Sequence, residues 1–133
     1  MNARRDDSGM ITSANMNEAK LSITTHVLDT SRGLPADGLT VCLYKFENDK
    51  WILLKESITE SNGRCADLLQ DQQGNSMAGT FKLEFRVNDY FRRNAISSIY
   101  PKIEVMFDVQ NPHEHYHIPL LLNPFGFTTY RGS

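Results

Sequence analysis

Leu21-Ser22-Ile23-Thr24-Thr25-His26-Val27-Leu28 alternates along its length, with Leu21, Ile23, Thr25 and Val27 on one side and Ser22, Thr24, His26 and Leu28 on the other. Successive side chains of a strand point to opposite faces, so this period of two spells a β-strand with one side toward a core. Asp29-Thr30-Ser31-Arg32-Gly33-Leu34-Pro35 ends it with a cluster of turn formers. The same signal recurs down the chain. Leu39–Phe46 and Trp51–Lys55 flank the polar turn Glu47-Asn48-Asp49-Lys50 and read as a hairpin. Arg64–Leu69 follows the turn Ser61-Asn62-Gly63 as a short, irregular strand, and a polar loop runs from Gln70 to Ser76. Phe81, Leu83, Phe85 and Val87 share one face of Thr80–Val87; Ile103, Val105, Phe107 and Val109 share one face of Lys102–Val109. Between these two strands Asn88 or Asp89 can cap a short helix, Tyr90–Ile96. His115–Leu122 and Phe127–Arg131, separated by the breaker Asn123-Pro124-Phe125-Gly126, complete the set. About eight short strands and one helix predict an all-β chain folded as an antiparallel β-sandwich.

The 133 residues suffice for one domain. That domain is expected over residues 21–133. Residues 1–20 are polar and carry too little apolar surface to offset the entropy of ordering, so they read as a flexible tail. Basic residues near Met1 are followed by Asp6-Asp7-Ser8-Gly9 where a secretory signal would be apolar. No apolar run is long enough to span a bilayer. The expected compartment is the cytoplasm, with the peroxisome left open although no Ser-Lys-Leu ending is present. A net charge of −2 argues against nucleic acid or an anionic membrane as partner, because both require a concentrated positive field. Cys42 and Cys65 are too few for a disulfide framework and read as free packing residues.

Four histidines are the first candidates for chemistry: His26, His113, His115 and His117. The last three are spaced to share one face of a strand. That spacing separates them by steps of about 6.5–7 Å, too far for all three to reach one zinc ion at about 2 Å. No metal is therefore assigned. His26 lies on the polar side of the first strand, and Arg64 directly follows a glycine turn. On their own these two residues read as ordinary surface groups. His117 precedes Ile118-Pro119-Leu120-Leu121-Leu122, and an imidazole beside so apolar a run needs a partner or a wet cavity. Pro119 cannot donate to a ladder, which places its strand at an edge or a bulge and His117 near a sheet edge or interface. A long apolar edge strand must be covered, and an identical subunit is one natural cover. The chain ends on Thr128-Thr129-Tyr130-Arg131-Gly132-Ser133, which local chemistry alone leaves unexplained.

Three stretches together carry a resemblance: Leu21–Ala36, with His26-Val27-Leu28-Asp29 at its centre; Thr59-Glu60-Ser61-Asn62-Gly63-Arg64; and His115–Ser133, with His115-Tyr116-His117-Ile118-Pro119-Leu120 and the terminal Tyr130-Arg131-Gly132-Ser133. Across about residues 21–133 the chain resembles the 5-hydroxyisourate hydrolases of the transthyretin-like family. The resemblance implies a transthyretin-like sandwich that assembles as a homotetramer, a dimer of dimers with active sites in the channel between them. It implies hydrolysis of 5-hydroxyisourate to 2-oxo-4-hydroxy-4-carboxy-5-ureidoimidazoline in urate catabolism, with no cofactor. It assigns His26, Arg64, His117 and Ser133 to catalysis, and His26, Arg64, His115 and Tyr130 to substrate binding. Asn123 stands where serine is common in the family, and Phe127 where tyrosine is common. A transthyretin-like carrier of small hydrophobic ligands is the alternative, and a plain β-sandwich interaction module is a second. Arg64, the histidines and Tyr130 speak for the hydrolase.

Overall fold

A computed structural model describes residues 20–70 and 78–133. The expected tail, apart from Lys20, and most of the expected Gln70–Ser76 loop lie outside these residues. Ten β-segments and one helix follow in chain order: β1 (Ser22–Asp29), β2 (Leu34–Pro35), β3 (Thr40–Glu47), β4 (Lys50–Ile58), β5 (Arg64–Gln70), β6 (Gly79–Phe85), α1 (Val87–Arg93), β7 (Ile103–Val109), β8 (His115–His117), β9 (Leu120–Asn123) and β10 (Gly126–Thr129). They form two sheets. One runs β4-β3-β6-β7, antiparallel throughout. The other is built around β1, with β2 and β5 along one edge, β8 and β9 along the other, and β10 beyond β9. The two sheets stack as the β-sandwich that the alternation predicts. No helix among the described residues is long and apolar enough to cross a membrane.

The alternating side chains meet between the sheets. Leu21, Ile23 and Val27 from β1 and its approach, Val41 and Leu43 from β3, Phe81, Leu83 and Phe85 from β6, and Leu120 and Leu122 from β9 are all buried in one core. Each fully buried aliphatic or aromatic side chain contributes about 1.5–3 kcal/mol, so this shared interior holds the sheets together. Cys65 is a free thiol inside it and Cys42 a buried free thiol outside that cluster, beside Glu56, and burial pushes both above the ordinary thiol range. The β3–β4 hairpin turns on Asn48 and Asp49 at φ 52° and 63°, the left-handed pair that a two-residue connection requires.

The sheet around β1 is not uniformly antiparallel: β8 and β9 both run parallel to β1. Ser22 pairs with His115 and Thr24 with His117, while Val27 pairs with Leu120 and Asp29 with Leu122, so one register runs through both segments. Sequence reading joins residues 115–122 into one strand with Pro119 at an edge or bulge. The ladder instead has a gap at Ile118-Pro119, because Pro119 has no N–H, and the strand continues in phase beyond it. Thr25 Oγ1 donates to Ile118 O at 2.6 Å across the gap, and Ile118 N donates to Thr24 O at 3.0 Å. Beyond Pro119 the strand is covered, since β10 pairs along β9, whereas β8 has β1 as its one strand partner among the described residues and a single bridge from Gly132 to His117, which leaves His117 near a sheet edge. This split, together with the two-residue β2, raises the count from about eight to ten.

The helix also differs from expectation. It spans Val87–Arg93 and not Tyr90–Ile96, and neither Asn88 nor Asp89 caps it: Arg86 occupies the cap position and no side chain bonds there. Val87, Tyr90 and Phe91 form the buried stripe at helical spacing, so core packing sets the start and overrides the capping signal. Asn94 and Ala95, the latter at φ 58°, end it. Tyr90 then ties the helix to the end of β1. Its hydroxyl donates to the fully buried Asp29 Oδ2 at 2.8 Å, while Ser31 N, Ser31 Oγ and Arg32 N donate to Oδ1. A buried carboxylate requires such donors, and a bond to a charged group contributes about 1.5–3 kcal/mol. Tyr90→Phe should accordingly lower the unfolding free energy by about 1.5–3 kcal/mol in urea titration, an effect on the scale of a charge-assisted bond. A change within error would show that Asp29 is satisfied without it.

Candidate functional site

The outer face of the β1 sheet carries the polar half of the alternation. Ser22, Thr24 and His26 point outward from β1, and His115 and His117 point outward from β8 on either side of the buried Tyr116. Arg64 opens β5 as the register partner of His26. The turn before it is set by Gly63 at φ 82°, where a Cβ would stand 2.4 Å from Val27 O and 3.3 Å from His26 Cδ2. Only glycine lets this turn approach β1 so closely. Asn62 holds the turn at both ends: its Oδ1 accepts from Arg64 N at 3.0 Å, and its carbonyl oxygen accepts from His26 Nε2 at 2.8 Å. A carbonyl cannot donate, so the proton of His26 sits on Nε2.

On the far side, Gly132 N donates to His117 O at 2.7 Å and lays the last residues beside β8. A Cβ on Gly132 would lie 2.7 Å from His117 Cδ2 and 3.2 Å from Pro119 Cγ. Arg131 secures this segment by donating to His115 O at 3.0 Å and to Glu114 Oε1 at 3.1 Å, with its guanidinium 4.2 Å from the Tyr116 ring centre. Between the two flanks opens a cavity of about 180 Å³ lined by Thr24, Thr25, Arg64, Cys65, Ala66, His115, His117 and Ser133.

The His115 and His117 rings stack with centres 6.2 Å apart. His115 shares hydrogen bonds with Ser22 Oγ through Nδ1, at 2.6 Å, and with Thr24 Oγ1 through Nε2, at 3.4 Å. His117 Nδ1 and Thr24 Oγ1 share one of 2.7 Å. Among the described residues nothing hydrogen-bonds His117 Nε2. No aspartate or glutamate side chain lines it. Partial burial holds the His117 pKa below the ordinary 6.5, and the positive charge of Arg64, followed by those of His115 and His26, lowers it further. The site can therefore present a neutral imidazole with a free nitrogen beside a permanently charged guanidinium.

A family model described as HIUase/Transthyretin family matches residues 23–132. The chain belongs to this family. It is 43% identical over 113 residues to the 5-hydroxyisourate hydrolase of Mus musculus, covering 84% of this chain and 94% of that one. Among solved structures it is similar to the 5-hydroxyisourate hydrolase of Klebsiella pneumoniae, with a TM-score of 0.72 and 32% identity over 84% of this chain and 99% of that one. It is also similar to sea bream transthyretin in complex with thyroxine, with a TM-score of 0.77 and 27% identity over 84% and 94% of the two chains.

Within this HIUase/Transthyretin fold, Arg64, His115, His117 and Ser133 converge on one cavity. His26 stands beside Arg64 without lining that cavity, tethered to Asn62. Tyr130 is half exposed and does not line it within a single chain. Sequence reasoning missed Ser22 and Thr24 as partners of the histidines, and Asn62, Gly63 and Gly132 as the backbone fixtures of the two flanks. Their signal was present in part, since Ser22 and Thr24 share the polar side of the first strand with His26. If Arg64 depresses the His117 pKa, Arg64→Gln should raise the midpoint of the His117 ring resonances in an NMR pH titration. A midpoint that stays put would leave burial and the two neighbouring histidines as the cause.

Proposed function

We propose that this chain is a 5-hydroxyisourate hydrolase, opening the six-membered ring by adding water to its acyl carbon and breaking the C–N bond. The product is 2-oxo-4-hydroxy-4-carboxy-5-ureidoimidazoline, an intermediate of urate breakdown. The observation that carries this reading is the gathering of Arg64, His115, His117 and Ser133 around one small polar cavity, with His26 beside Arg64. The likeness to relatives named as 5-hydroxyisourate hydrolases supplies the substrate.

In this mechanism His117 is the general base. Its Nε2 has no protein partner among the described residues, and its lowered pKa keeps it neutral near neutral pH. It removes a proton from water as the oxygen attacks. Arg64 holds the substrate's oxygens in its planar fork and offsets the negative charge that grows on the acyl oxygen. His26 already donates its Nε2 proton to Asn62 O, so it serves to orient and bind. His115 and Ser133 complete the wall, and Ser133 offers a hydroxyl to the substrate. Neither is a nucleophile here, since no Ser–His–Asp arrangement surrounds Ser133. One substrate and water account for every atom, so the reaction needs no cofactor.

The functional unit in this proposal is a homotetramer, a dimer of dimers. Ile99, Met106, Phe125 and Phe127 are exposed apolar side chains, and among the described residues β7 and β10 each leave one strand edge unpaired. Apolar patches and open edges of this kind are ordinarily covered. A second copy facing the site would close it into a channel and bring Tyr130 within reach of substrate. Light scattering on the full chain should give four times the 15.2 kDa of one chain. A monomer that hydrolyses at full rate would sink the channel.

The likeness to a transthyretin solved with thyroxine favours a carrier by fold. An apolar ligand, however, would have to strip water from the Arg64 guanidinium without offering it a hydrogen bond. An ultraviolet assay on freshly generated 5-hydroxyisourate separates the two readings. The chain should accelerate its decay, His117→Ala should lower kcat/KM by about a hundredfold or more, and the wild-type rate should fall at acid pH, as the lowered His117 pKa is passed and the ring takes up a proton. Decay at the spontaneous rate with folded protein would end the hydrolase reading.

A further inference from the structure

Four side chains on the outer face alternate hydroxyl and imidazole in an unbroken line. Ser22 Oγ lies 2.6 Å from His115 Nδ1, His115 Nε2 lies 3.4 Å from Thr24 Oγ1, and Thr24 Oγ1 lies 2.7 Å from His117 Nδ1. The parallel register of β1 and β8 produces the line, because it sets Ser22 beside His115 and Thr24 beside His117. We propose that these four residues are a proton relay, in which Thr24 positions the catalytic histidine and passes its proton outward to His115. This rests on the hydrolase reading.

Each hydroxyl can accept one hydrogen bond while donating another, and each neutral imidazole has one donor and one acceptor nitrogen. The line runs head to tail, each inner group accepting one bond and donating the other, in only two ways. In the first, His117 Nδ1–H donates to Thr24 Oγ1, Thr24 O–H donates to His115 Nε2, and His115 Nδ1–H donates to Ser22 Oγ. This arrangement leaves the lone pair of His117 Nε2 open to the cavity, as a base requires. In the second every bond is reversed and His117 Nε2 carries a proton, as an acid requires.

One proton entering from the cavity reverses the two bonds of Thr24 and leaves His115 Nδ1–H donating to Ser22 Oγ. Water gives a proton to His117 Nε2 as its oxygen bonds to the acyl carbon. His117 Nδ1–H passes its proton to Thr24 Oγ1, and the Thr24 hydroxyl proton passes to His115 Nε2. The positive charge then rests on His115 and not on His117. Electrostatics favours that direction: His117 is partly buried and its protonated form is opposed by Arg64 on β5, then by His115 on β8 and His26 on β1. His115 is exposed, with Glu114 one residue away and held by Arg131. When the C–N bond breaks, the proton returns along the same line and His117 Nε2 delivers it to the departing nitrogen. No proton is left over.

The test compares Thr24→Val, which keeps the branched strand shape and removes the hydroxyl, with Thr24→Ser, which keeps the hydroxyl. Valine should lower kcat at least about tenfold with little change in KM, and serine should stay near wild type. Nitrogen-15 NMR reads the tautomer directly: neutral His117 should carry its proton on Nδ1 in wild type and lose that preference in Thr24→Val. A wild type that fails to accelerate 5-hydroxyisourate decay overturns the hydrolase reading itself. An active wild type with Thr24→Val equally fast overturns the relay alone. Should Thr24→Val not fold, the wild-type spectrum still decides, because a proton on His117 Nε2 at neutral pH contradicts the base-ready line.

Discussion

The parallel pairing of β1 with β8 and β9 is the constraint on which the outer face depends. Parallel strands cannot be joined by a tight turn, so the chain builds most of both sheets before residues 115–123 return to the flank of its first strand. The register there is fixed from the inside. Tyr116, Ile118, Leu120 and Leu122 all face the core, and a slip of one residue would turn them to solvent and drive His115 and His117 inward. The burial of four large side chains thus specifies which hydroxyl meets which imidazole on the opposite face.

That dependence explains what the sequence discloses. Alternation in β1, β6 and β7 is local, and so is the turn at Asn48-Asp49; both are legible because each residue announces its own face. Partner choice is not local. Nothing in Ser22 or Thr24 names a strand more than ninety residues away, and strand hydroxyls are common, so their bonds to His115 and His117 stayed hidden. The helix start is not local for a similar reason: Asn88 and Asp89 are good caps in isolation, but Val87 is claimed by the core. His117 could be singled out by its apolar neighbours, whereas Arg64, His26 and Ser133 stood out only through the family resemblance. Pro119 was readable as an interruption, but its cover by β10 was not, because that cover forms only when the last strand folds back.

The charge pattern of the face is as one-sided as its register. Arg64 and two imidazoles line the cavity with His26 beside them; Glu114, next to His115, is paired with Arg131, and the buried carboxylates lie elsewhere: Asp29 beneath α1, and Glu84 on the other sheet with Arg86 and Lys102. The Lys102 and Arg86 bonds and charges outweigh burial and lower the pKa of Glu84, so that acid is committed to its own network. A cavity lined by a guanidinium and imidazoles, and by no aspartate or glutamate side chain, favours negative charge and discourages a second positive one. Both tendencies serve the same chemistry, because the face that stabilises a growing oxyanion also keeps His117 neutral enough to act as a base.

A β-sandwich asks much of its inward residues and little of its outward ones, which is why one fold can serve a thyroxine-bound transthyretin and hydrolases alike. What cannot vary freely is the backbone that brings the outward residues together. Here it is pinned at both flanks by glycine: Gly63 lets the Arg64 turn press against Val27 and His26, and Gly132 lets the last residues press against His117 and Pro119. Any larger residue at either place must displace backbone or the His117 ring. The site is therefore closed in by two backbone approaches that only glycine permits. The groups that meet the substrate inherit their precision from those approaches and from the core register beneath them.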